Sequence, residues 1–328
     1  MTTPTAENTE VNIHPNFCFR DASLFYQVGN VIFGIHHSTV SQNVHSIRGQ
    51  PGDPISCMTL PEGSNLGLAL LSPYIVPAES GISPADFEYF LKFIYSTDFK
   101  LWMNPSLEAA IAVLHLSHKL CCPTGTEYAI AMLTRKSPDS AEPIMRPALQ
   151  IFLGRTYAVS EWLQPAFETI MYAPIAKLTR EDMYALGTET YRIIVLGKEA
   201  AYQKRLNLVS HPIKLIHSPD CLKAKHQRGC EAGHHTAYDR LKSEILGTVP
   251  PAGFPRALTV IGHLLKPEDL GLLDDSCATL TLGAMKDSNA FDVERVIINK
   301  VINDKLLLLS PAYYGSLELP LAPLYMAN

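Results

Sequence analysis

No apolar run in this chain reaches the roughly 18 residues a membrane helix requires. The longest, Leu66 to Pro77 and Leu306 to Tyr314, are short or broken by Pro, Ser and Gly, so no membrane partner is expected. There is no Lys/Arg-rich stretch either. With a formal net charge of −5 and a pI near 6.2, the chain has no field that draws nucleic acid, which excludes direct nucleic-acid binding from the expectations. The opening MTTPTAENTEVN lacks the basic start and apolar stretch of a secretory leader, so an intracellular protein, cytoplasmic or nuclear, is expected. The nucleophile elbow, the phosphate loop, the dinucleotide fingerprint and the two-histidine metalloprotease helix are all missing. Nothing therefore marks an enzyme or a cofactor, and no catalytic residue is assigned.

Cysteine is present but not as a framework. The seven residues Cys18, Cys57, Cys121, Cys122, Cys221, Cys230 and Cys277 have no regular spacing and include no CxxC. Thiols rather than disulfides are expected in a reducing compartment, with the vicinal pair Cys121-Cys122 packed as small hydrophobes at a helix end.

What is present is core material: 47% of the 328 residues are apolar, enough for two domains at the usual ~150 residues each. Leu24, Tyr26 and Val28 alternate, Gly29-Asn30 follows, and Val31, Phe33 and Ile35 alternate again, which predicts a hairpin of two half-buried strands. Short strands are expected near Ile55 to Thr59 and at Tyr74 to Val76. Ser83, Pro84 and Asp86 spell a helix start, and Phe87, Phe90, Leu91 and Ile94 form its inner face. Asn104-Pro105 repeats the start signal before a stripe of Leu107, Ile111 and Leu114. KSPDSAEPIMRP, residues 136–147, has the composition of a linker.

Three further helices are read from Leu149 to Leu153, from Leu163 to Ile170, and from Met183 to Ile193 behind Thr179 and Asp182. A loop rich in Cys, His and Lys is expected at residues 211–235, then helices near Tyr238 to Leu246, Arg256 to Leu265 and Ala290 to Val301. The fold class is α+β: a flexible N-terminus at 1–13, an α/β domain of short sheet and flanking helices at 14–136, a helical extension at 137–205, and a loop-rich then helical region at 206–328.

Several short motifs, in order, resemble a BTB/POZ protein of the fungal type, a BTB domain followed by a helical extension. They are His14-Pro15, Asp21, the run Val28 to His36, Ile82-Ser83, Asp86-Phe87-Glu88 and Phe93-Ile94-Tyr95, then Tyr157 to Leu163, Phe167 to Ile170, Leu178-Thr179 and Leu186-Gly187. The resemblance covers residues 14 to 200. It implies a non-enzymatic protein-interaction scaffold or adaptor with protein partners, self-associating as a homodimer, and a substrate adaptor for a cullin-type ubiquitin ligase through Leu60 and Glu62. It also implies interaction roles for Asp21, His36 and His37. Two departures stand out: His37 occupies the position where relatives carry a basic residue paired with the aspartate matching Asp21, and the helix after it is the polar VSQNVHSIRG. A monomer that binds through its C-terminal half is a third reading consistent with them.

The competing reading is a zinc-stabilised module or metal-dependent enzyme. Cys221, His226, Cys230 and His234 offer thiolate and imidazole, the donors zinc prefers, in a spacing that fits no standard finger, with His235 or distant Cys277 as other fourth ligands. His115 and His118, three apart on a helix, are a weaker metal candidate. His36 is expected to be structural, its ring nitrogens satisfied by backbone. Trp102 and Trp162 are expected to be packed anchors.

Overall fold

Four strands and eleven α-helices make up the described part of the chain, residues 11–43, 73–96, 105–135, 144–211, 214–221, 224–247, 274–287 and 293–307 of a computed structural model. It is an α+β protein, mostly helical with one four-stranded sheet. The chain divides into two compact units, one covering Met1–Arg146 and Glu318–Asn328, the other Pro147–Leu317.

In the first unit, β1 (Asn12–Cys18), β2 (Leu24–Val28), β3 (Val31–Ile35) and β4 (Tyr74–Val76) lie in the order β1-β3-β2-β4. The expected hairpin forms with Leu24 opposite Ile35, Tyr26 opposite Phe33 and Val28 opposite Val31. Only Gly29 of its two-residue turn takes a positive φ, 59°, which its missing Cβ permits. The strands are not half-buried, as alternation suggests, but covered on both faces. Leu24, Tyr26, Val28, Phe33 and Ile35 join the main core, while Phe25 and Ile32 join Ala22 in a second cluster on the opposite face. Gly34 makes the second face possible, since a Cβ there would stand 2.8 Å from Phe25 Cε1 and 3.0 Å from Cys18 Sγ.

β4 adds parallel to β2, as predicted for Tyr74 to Val76, with Tyr26 opposite Tyr74. β1 adds parallel to β3, in irregular register between Ile13 and Cys18. This strand corrects the expectation of flexible chain through residue 13. Pro15, which has no N–H to give, sits within that irregular stretch at the sheet edge, where proline is tolerated.

Helices close the main core. α1 (His37–Asn43) follows β3, and α2 (Pro84–Tyr95) buries the predicted Phe87, Phe90, Leu91 and Ile94. The Ser83 hydroxyl accepts from Asp86 N–H at 3.1 Å and the Asp86 carboxylate accepts from Ser83 N–H at 3.1 Å, a complete capping box. Phe87 meets Phe33 edge-on at 5.0 Å between centroids. α3 (Leu107–Lys119) starts two residues later than Asn104-Pro105 suggests, capped by Ser106. It carries no single stripe: Ala109 through Leu114, Leu116 and Ser117 are all buried, because α2 flanks it on one side and α4 (Pro123–Thr134) on another. Between α3 and α4 the vicinal cysteines part company, Cys122 buried and Cys121 exposed at φ 47°, so only one of them is core. The Ile55 to Thr59 strand, Trp102 and the Arg256 to Leu265 helix lie outside the described residues.

The second unit is helical: α5 (Pro147–Thr156), α6 (Leu163–Tyr172), α7 (Arg180–Leu186), α8 (Thr188–Ser210), α9 (Ala224–Gly247), α10 (Asp275–Asp287) and α11 (Val293–Val301), which runs on into one wide turn, Ile302–Leu306. The Thr179–Asp182 capping box forms. The single helix expected from Met183 to Ile193 is two, broken at Gly187 with φ 73° and ψ 158°. The loop expected through residue 235 becomes helix α9 from Ala224 onward. Trp162 is a buried anchor, as expected.

Two polar ties hold this bundle. Buried Arg155 donates to Thr190 Oγ1 at 2.8 Å and to the Leu306 carbonyl at 2.8 Å, with its guanidinium 5.1 Å from the Phe167 ring centre. The Lys198 ammonium donates to the carbonyls of Ile170 at 2.6 Å and Met171 at 2.9 Å, and to that of Ala173, so it closes the C-terminal end of α6.

Replacing Arg155 by Leu leaves the Thr190 hydroxyl and the Leu306 carbonyl buried without that donor, at an expected cost of about 2–4 kcal/mol in urea unfolding. A second expectation concerns acid. Burial lowers His115 on α3 from 6.5 to about 4, with Lys119 and His118 adding to the shift and Asp86 opposing it. The unfolded chain therefore takes up this proton first. Its contribution is intact above pH 6.5 and falls as pH drops toward about 4, by up to roughly 3 kcal/mol. Wild type should lose stability relative to His115→Gln over that window, and parallel curves would refute the assignment.

Candidate functional site

Sequence reasoning marks two regions, one in each unit. In the first, Asp21 and His36 meet at the open end of the hairpin. His36 follows β3 directly and Asp21 precedes β2, and since Ser23 N–H bonds the Ile35 carbonyl at 3.0 Å the ladder carries them close together. His36 Nε2 lies 3.1 Å from Asp21 Oδ1, and its Nδ1 lies 3.1 Å from the Tyr95 hydroxyl at the end of α2. The Tyr95 oxygen also accepts from the His36 backbone N–H at 2.8 Å. Nε2 is placed to donate to the Asp21 carboxylate, and Nδ1 to share a hydrogen bond with the Tyr95 hydroxyl. The ring nitrogens are thus satisfied by side chains and not by backbone.

The pairing that the resemblance places at His37 is made by His36 instead. His37 is exposed, its own N–H donating to Ser23 Oγ at 2.8 Å. Hydrogen bonding from His36 holds the Asp21 carboxyl below its usual range, yet that carboxylate is 83% exposed and water screens the pair. The imidazole, by contrast, lies 4.7 Å from the Phe19 ring centre and packs with Tyr95. His14 plays a similar part for β1. Its Nδ1 accepts from the N–H groups of Asn16 and Phe17 at 3.2 and 3.0 Å, its ring stacks on Phe33 at 4.8 Å, and Nε2 faces Glu88 at 3.6 Å. Leu60 and Glu62 lie outside the described residues.

The second region differs from the expected donor set. Cys221 and Cys230 do meet, and of the alternative fourth ligands it is distant Cys277 that joins them, with His217 in place of His226; the four donor atoms all lie within 4.8 Å of one another. His234, one turn beyond Cys230 on α9, is buried against Tyr238 with ring centres 6.0 Å apart and is not part of the group. The His226 side chain lies outside the described residues. His118 is exposed while His115 is largely buried, and neither joins a donor group among the described residues.

Three separate segments build this cluster. Residues 214–221 carry His217 and Cys221 on a turn closed by Cys221 N–H to the Ser218 carbonyl at 3.0 Å. Early α9 supplies Cys230. The first turn of α10 supplies Cys277, placed by Asp274, whose carboxylate accepts from the N–H groups of Ser276 at 3.0 Å and Cys277 at 3.3 Å. Thr281, one turn further along α10, accepts from Ile216 N–H at 3.0 Å and holds the first segment down. Cys221 Sγ is 3.7 Å from Cys230 Sγ and 3.6 Å from His217 Nδ1, and Ser218 N–H points at Cys277 Sγ from 3.2 Å. Burial, with hydrogen bonding among the three thiols, pushes Cys221 up to about 12. His217-x3-Cys221 was a legible clue, whereas Cys277 is separated from the others by a long stretch of chain that only folding brings back.

No protein-family model, no curated protein and no solved structure matches the chain.

Tyr95→Phe removes the oxygen that receives the His36 N–H and faces its ring, and should lower stability by about 1–2 kcal/mol. Asp21→Asn, at an exposed carboxylate, should leave the unfolding midpoint unchanged. Equal losses in the two variants would contradict the division of roles given to these groups.

Proposed function

We propose that the chain is a non-enzymatic protein-interaction adaptor whose first unit is a BTB/POZ-like domain that pairs with a second copy of itself. The observation that carries this reading is the state of the sheet edges. β1 and β4 are the two outer strands. Large apolar side chains stand exposed on and beside them: Val11 at 49%, Ile13 at 56% and Ile75 at 65%. Among the described residues these two strands are the edges where a further strand can add, and apolar side chains there favour such a partner over water. A second copy presents the same strands, and the closed symmetry of a dimer would use both sets at once.

The hairpin with β4 parallel to β2, the capped α2 behind it and the Asp21–His36 contact support the resemblance. The cullin-adaptor role rests on the resemblance alone.

Light scattering over a concentration series tests the pairing. The full chain should approach twice its 36.2 kDa mass at micromolar concentration, and Ile13→Asp with Ile75→Lys should return it to monomer. Those side chains are exposed, so the exchange should leave the fold intact. A strict monomer across the whole series would sink the self-association reading.

A further inference from the structure

We propose that His217 Nδ1 and the thiolates of Cys221, Cys230 and Cys277 bind one zinc ion as a closed structural site in the second unit. The inference does not depend on the adaptor reading.

Two of the donor separations match the edges of a coordination tetrahedron, and all four donor atoms lie within 4.8 Å of one another. Zinc bonds of about 2.3 Å to sulfur and about 2.0–2.1 Å to nitrogen give tetrahedral edges of roughly 3.75 Å between sulfurs and 3.55 Å between sulfur and nitrogen. Cys221 and Cys230 sulfurs stand 3.7 Å apart, and the Cys221 sulfur stands 3.6 Å from His217 Nδ1. A disulfide needs its sulfurs at about 2.05 Å, and joining any two of the three would leave the third thiol and the imidazole without a role.

Burial selects the ion. Cys221, Cys230 and Cys277 are 4%, 1% and 0% exposed, and His217 is half-buried. Three soft thiolates and an imidazole in tetrahedral array suit zinc, whereas calcium, magnesium and manganese want oxygen. As each Zn–S bond forms, the thiol proton leaves to solvent, and the three thiolates and the dication together carry one net negative charge. The Ser218 N–H aimed at Cys277 sulfur and the N-terminal end of α10 beneath Cys277 stabilise that charge. Four protein donors leave no open position, so the site is structural, not catalytic.

The bland alternative is that three thiols fill a small core. Apart from them, that cluster contains among the described residues only Ala278, with partly buried Leu215 beside it. An apolar core of this size would hold three segments weakly. A metal that fastens residues 214–221 to α9 and α10 supplies what the packing lacks.

The test uses the full chain. Elemental analysis after dialysis should find about one zinc per chain, and Cys277→Ser and His217→Ala should each bring it well below half. His226→Ala and His234→Ala should retain it. Should Cys277→Ser fail to fold, cobalt exchanged into the wild-type protein provides the second reading: intense thiolate-to-cobalt charge transfer with the ligand-field bands of a tetrahedral ion. Absence of zinc with no cobalt spectrum overturns the proposal. So does full zinc content in Cys277→Ser, loss confined to the His226 or His234 variant, or thiols that react with alkylating agent only after reduction.

Discussion

The first unit depends on one constraint: its central hairpin is buried on both faces. β2 and β3 carry large side chains to the main core on one side and to the Ala22, Phe25 and Ile32 cluster on the other. Each fully buried aromatic or aliphatic side chain contributes about 1.5–3 kcal/mol relative to exposure. A ribbon covered in this way has no free face to offer a partner. Its ladder directions are also taken, by β1 and β4. The same constraint explains Gly34, where the Phe25 ring and Cys18 sulfur occupy the space of a side chain.

Local signals were legible wherever one segment carried its own instruction. The alternation of β2 and β3, the Ser83–Asp86 and Thr179–Asp182 capping boxes and the inner face of α2 all depend on residues a few positions apart, and each formed. Gly187 shows the limit of periodicity. The apolar spacing continues across it, but a backbone at φ 73° and ψ 158° cannot remain helical, and one expected helix became two. β1 was missed because His14, Pro15 and Asn16 break every alternation, and the strand exists only because β3 offers an edge to it.

The candidate sites divide along the same line. Asp21 and His36 were picked out, but not each other's company, nor that of Tyr95, which α2 delivers from 59 positions away. The pairing was expected of His37 because the resemblance supplies a position without the local path of the chain. Here the residue just after β3, His36, turns toward Tyr95, and the next goes to solvent. The thiol group gives the parallel case. Cys221, Cys230 and distant Cys277 are among the donors expected, whereas His217, only four positions before Cys221, is the one passed over in favour of His226 and His234.

The two units hold themselves together differently, and that difference bears on function. The first relies on a broad aromatic and aliphatic core running through sheet and helices. The second has an apolar core of its own, with Leu153, Trp162, Phe167, Ile194 and Ile302 buried, and adds polar anchors to it: a guanidinium between two helices and a terminal turn, an ammonium on three carbonyls, and a sulfur-rich corner. Such interactions are directional, and each is costly to lose singly because its partners stay buried. These anchors are therefore points of high local cost within the second unit. If a metal ion is one of them, removing it should loosen α9 and α10 while the double-sided hairpin, whose burial owes nothing to thiolate chemistry, remains folded. Self-association through the sheet edges and metal retention by the thiols then become separable properties of one chain, each able to fail without the other.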